Sequence, residues 1–138
     1  MSIIIGVGLA VAVGLFATLV GFDRERSFYA AVLLVVASLY SLFAVLGGST
    51  HALLAESAVM AAFIALAAIG FRTSMWLVVA GLMGHGLFDL VHGLLIANPG
   101  VPGYWPAFCS AYDVAAAAYL ATVLASGRQR ATAPARSA

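Results

Sequence analysis

Polar residues interrupt this chain at four places, leaving five apolar stretches at 3–22, 28–46, 52–71, 75–96 and 107–126. Each is close to the ~20 residues an α-helix needs to cross the hydrocarbon core of a bilayer. The breaks at 23–27, 47–51, 72–74 and 97–106 are short, so sequence neighbours are expected to run antiparallel. The pattern predicts an all-α fold: one domain, 1–126, an up-and-down bundle of five transmembrane helices. The remainder, 127–138, is polar, with Pro134 and three arginines, and reads as a disordered cytoplasmic tail. No Lys or Arg precedes the first stretch and it is long enough to span, which favours a retained helix over a signal peptide.

Composition agrees with that pattern. The chain of 138 residues is 64% hydrophobic and 8% charged, too little charge to solvate a soluble domain of this size. A multi-pass protein of the bacterial inner membrane is the expectation. One cysteine excludes an intramolecular disulfide. No basic patch with interleaved aromatics is present, so no nucleic-acid partner is expected, and the lipid bilayer is the expected surroundings. All positive side chains are arginines. Arg24 and Arg26 fall in the first break, Arg72 in the third, and Arg128, Arg130 and Arg136 in the tail. The positive-inside rule then places the N-terminus outside and the C-terminus inside.

Orientation gives each polar residue a depth, at ~1.5 Å per helical residue. His51 stands at the outer rim of the third helix, and Glu56 about 6 Å below it. On the fourth helix, His92 lies roughly 6 Å in, Asp89 roughly 10 Å, and His85 near the middle. On the fifth, Cys109 and Asp113 lie about 3 and 9 Å in. His85, Asp89 and His92 are spaced i, i+4, i+7 and share a sector of about 60°. Cys109 and Asp113, at i and i+4, share a face of the next helix. Turned together, the two helices would offer imidazole, carboxylate and thiol to one volume. Such donors suit a divalent metal, zinc or iron. His85, Asp89, His92, Asp113 and Cys109 are therefore the expected ligands, with Glu56 a candidate general acid/base. The alternative is a hydrogen-bonded packing network, with Asp89 on His92 and Asp113 on Tyr40 or Tyr112. The charges at 23–27 read as solvated.

The motif His85-x3-Asp89-x2-His92, the loop NPGVPGYWP and the step Cys109-x3-Asp113 resemble a group of small bacterial multi-pass membrane proteins. Their pattern is H-x-x-[WF]-D-x-x-H, a Pro-rich loop and a Cys-to-Asp step. Phe88 takes the aromatic position; Gly93 stands where many of them carry a second histidine. The resemblance covers about a quarter of the chain and implies no activity. A looser likeness is to membrane zinc hydrolases of the ceramidase and progestin-receptor type, with a different helix count and motif order.

Several functions fit these residues. A metal-dependent enzyme would act on a lipid or other hydrophobic substrate at a metal-bound water. A metal-ion or proton transporter would need polar groups at both ends, and the inner half reads as lacking ionisable carboxylates and imidazoles. A haem-binding electron carrier would need His92 and His51 as axial ligands. A structural subunit would use the polar layer for docking, and a homo-oligomer is compatible with each.

Overall fold

The structure, a computed structural model, describes residues 1–127 and Gln129. The expected tail, with Arg128, Arg130 and Arg136, lies otherwise outside the described residues. Five helices of 19 to 23 residues make up nearly all of the rest: α1 Ser2–Val20, α2 Arg26–Leu46, α3 Thr50–Arg72, α4 Met75–Leu95 and α5 Trp105–Ala125. All five are long and apolar enough to cross a membrane, and no strand occurs among the described residues.

Local chemistry moves the boundaries by one to two residues from those read off hydropathy. Gly21 ends α1 in the left-handed region at φ 92°, and a 3-10 turn over Phe22–Arg24 leads into α2 at Arg26. Ser49 caps α3 by accepting a hydrogen bond from the Ala52 amide at 3.2 Å, so that helix starts at Thr50. α4 stops at Leu95 because Ile96 is extended. α5 begins at Trp105 because Pro106 sits in its first turn, where a missing N–H costs nothing.

α4 is the central helix. It packs on α5, α3 and α2, while α1 packs along α5. α1 and α5 run parallel, with Gly6 against Phe108 and Tyr112 and Gly14 against Tyr119. Leu33, Val78, Leu82, Ala117 and Leu120 close the interior around α4. The outside is apolar as well: Ile4, Leu19, Leu46 and Leu94 are each more than two-thirds exposed. Polar and charged side chains are instead buried, among them Ser41, Glu56, His85, Asp89, His92, Ser110 and Asp113. Apolar outside with ionisable groups inside fits a protein in contact with lipid.

Candidate metal centre

α4 and α5 approach closely at Gly86. A Cβ there would stand 3.1 Å from the Ser110 carbonyl oxygen and 3.2 Å from the Asp113 Cβ. Glycine thus allows the contact that brings the i, i+4 pairs of the two helices face to face. His85 and Asp89 from α4 meet Cys109 and Asp113 from α5, and one ligand atom from each lies within 4.8 Å of the other three. All four residues are at most 2% exposed.

The bonds inside this group are incomplete. His85 Nδ1 and Asp113 Oδ2 are 2.7 Å apart, the carboxylate accepting. His85 Nδ1 stands 3.7 Å from Asp89 Oδ2, too far for a hydrogen bond. The Cys109 thiol donates weakly to Asp113 Oδ2 over 3.9 Å. Both oxygens of Asp89 and Oδ1 of Asp113 are buried with no hydrogen-bond partner. The Tyr40 hydroxyl and the Cys109 thiol are the donors that face Asp89, both just short of good hydrogen-bond geometry. Three stranded carboxylate oxygens in one small volume carry a large desolvation cost. A cation would remove it.

His92 falls outside this group. Its Nε2 and Glu56 Oε1 are 2.7 Å apart, again with the carboxylate accepting. Asn98 Nδ2 donates to the same Glu56 oxygen at 2.9 Å and to the Tyr40 carbonyl at 3.0 Å. The Tyr40 ring stacks on His92, centroids 3.8 Å apart and planes 12° from parallel. The 96–104 connection is thereby strapped across α2, α3 and α4. Gly100 serves the strap, since a Cβ there would collide with the Phe43 carbonyl. The site residues expected from the sequence thus divide into two sets, His85/Asp89/Cys109/Asp113 and His92/Glu56. Neither packing pair expected as an alternative forms: Asp89 has Tyr40 and Cys109 rather than His92 as its polar neighbours, and Asp113 bonds His85 rather than a tyrosine. His51 is exposed, whereas His92, the other axial ligand a haem would need, is buried and bonded to Glu56.

Sequence reading passed over two residues. Asn98 looked like an ordinary loop residue, and its only signal was a side-chain amide beside Pro99. Asp23 was read as solvated, yet it is 1% exposed. Its Oδ2 accepts from Thr18 Oγ1 at 2.9 Å, inside the junction of α1 with the turn. Comparison of the chain with family models, with curated proteins and with solved structures finds no match, so the resemblance on α4 and α5 brings no residue roles with it.

Proposed function

We propose that this is a multi-pass membrane protein that holds one divalent transition-metal ion, zinc or ferrous iron, between His85, Asp89, Cys109 and Asp113. The observation that carries the reading is the stranded carboxylate oxygens of Asp89 and Asp113 within a four-donor group. Imidazole, carboxylate and thiolate select borderline metals over magnesium or calcium, which prefer oxygen alone. Tetrahedral bonds of about 2.0–2.3 Å need donors about 3.3–3.8 Å apart. The present separations run from 2.7 Å to at most 4.8 Å, so small side-chain rotations suffice. Asp89 and Asp113 offset the charge of a divalent ion, and the Cys109 thiolate leaves the closed shell with one net negative charge when His85 is neutral.

Four protein donors close a tetrahedral shell, whereas catalytic zinc keeps a position for water. Glu56, the candidate acid/base, is engaged by His92 and Asn98. The reading is therefore of a held ion rather than of a hydrolytic centre. The arginine distribution supports the N-terminus outside, with the ion in the outer half of the bundle.

Cobalt tests the donor set. Co²⁺ loaded into the purified protein should give thiolate charge-transfer absorption and intense tetrahedral d–d bands. Cys109→Ser should lose the first and keep the second. Octahedral, weakly absorbing cobalt identical in both proteins would rule out the proposed ligands.

A further inference from the structure

The end of the bundle that carries the 21–25 connection holds a second buried polar cluster. Three helices and the 3-10 turn build it. Thr18 on α1 donates to Asp23 of the turn, as above, and its Oγ1 lies 2.8 Å from the Tyr119 hydroxyl on α5. A threonine hydroxyl has one proton. That proton goes to Asp23, so Tyr119 is the donor to Thr18 and its own oxygen keeps acceptor capacity. Tyr29, on α2, is 2% exposed and its hydroxyl has no hydrogen-bond partner. Its electrostatic neighbours are Tyr119, Asp23 and Tyr112.

Among the described residues no cationic side chain pairs with the carboxylate. Among the described residues the ion pairs all involve histidines of α4, and none includes Asp23. Arg26, three residues on, instead donates to the Gly70 and Phe71 carbonyls at the end of α3. A buried carboxylate with one hydroxyl donor among the described residues is costly, and a buried phenol with none adds to it. One occupant relieves both: a small ion of charge +1 bound by oxygen. A transition metal would want nitrogen or sulfur, which this cluster lacks. A hard divalent ion would want more carboxylates or several waters.

We infer that Asp23, Thr18, Tyr119 and Tyr29 form a site for a hard monovalent cation, sodium or hydronium, at the opposite end of the bundle from Glu56 and His92. The inference stands apart from the transition-metal reading, because the two clusters share no residue. It also alters the case against transport, which rested on an inner half without carboxylates.

Thermal unfolding of the purified full chain tests it, because a bound ion raises the melting temperature as its concentration rises. Sodium should replace choline at fixed ionic strength and pH. A second series should lower the pH without sodium. Arg24, in the same turn, and Arg26 keep their charge throughout, and the groups of the other cluster are common to every variant and cancel in differences. Sodium as occupant predicts a melting temperature that climbs with sodium; hydronium predicts one that climbs as pH falls. Asp23→Asn should abolish the sodium response, and the difference between wild type and variant should carry the whole pH response of the site. Tyr29→Phe, nearly isosteric and safe for folding, should raise the half-saturating concentration about 3–10-fold, the worth of one neutral hydrogen-bonding group. Bound transition metal should be the same in both variants. A wild type indifferent to sodium and pH, or a response undiminished in both variants, would overturn the site.

Discussion

His85 and His92 lie seven residues apart on α4, both buried and both bonded to a carboxylate, but they differ in what is left over. Around His92 the imidazole, the carboxylate and the Asn98 amide pair with one another. Glu56 takes the imidazole and the Asn98 amide, Tyr40 covers the ring, and Glu56 strands no buried oxygen. Around His85 one good hydrogen bond leaves three carboxylate oxygens unpaired. A satisfied buried network fixes geometry; an unsatisfied one is open to an ion, a proton or a water. The His92–Glu56 pair is therefore a latch for the 96–104 strap, and the group around His85 is the proposed site.

Mutations should separate the two regions by readout. The largest loss of stability is expected from Glu56→Ala. It leaves the His92 ring nitrogen unpaired and removes one of the two bonds of the Asn98 amide, at about 1–3 kcal/mol each. Unfolding should become easier while the ion, once bound, stays. If Glu56→Ala instead released metal from a still-folded protein, the two regions would be one site. Gly86→Val acts on the other side of the comparison. Its side chain would meet the Ser110 carbonyl and Asp113, forcing α4 and α5 apart at a cost of about 1–3 kcal/mol. Metal binding should suffer more than folding, which parallel titrations of ion and denaturant would show. The smallest effect is expected from His51→Ala. That exposed side chain should change stability by no more than about 0.5 kcal/mol and leave metal content alone. A measurable loss of metal would return His51 to the site.

Hydropathy made the five helices legible because each apolar run is both long and bounded by turn residues. The meeting of His85 and Asp89 with Cys109 and Asp113 was legible too, from i, i+4 spacing on antiparallel neighbours. His92 shows where spacing misleads. It shares the angular sector of His85, but seven residues carry it about 10 Å along the axis, whereas the four donor atoms lie within 4.8 Å of one another. Angle alone grouped them; depth divides them. Depth also put Glu56 level with His92, and the structure bonds the two. Asp23 was hidden for another reason. The run Asp23-Arg24-Glu25-Arg26 has the composition of a wet loop, and nothing local reveals that the chain folds its first member back onto Thr18. Asn98 depends on a long-range partner in the same way.

The central claim is that the stranded oxygens of Asp89 and Asp113 mark an ion site, and metal content tests it most directly. Elemental analysis should compare the protein purified without chelator with Glu56→Gln and Asp89→Asn. Asp89→Asn keeps the shape of the side chain and removes the charge that offsets the ion. Losing a group that merely supports a ligand costs about 10–100-fold in affinity, and losing a ligand should cost at least that. The account predicts about one zinc or iron per chain in the wild type and in Glu56→Gln, and almost none in Asp89→Asn. A wild type without metal, or an Asp89→Asn protein carrying as much as its parent, would contradict it.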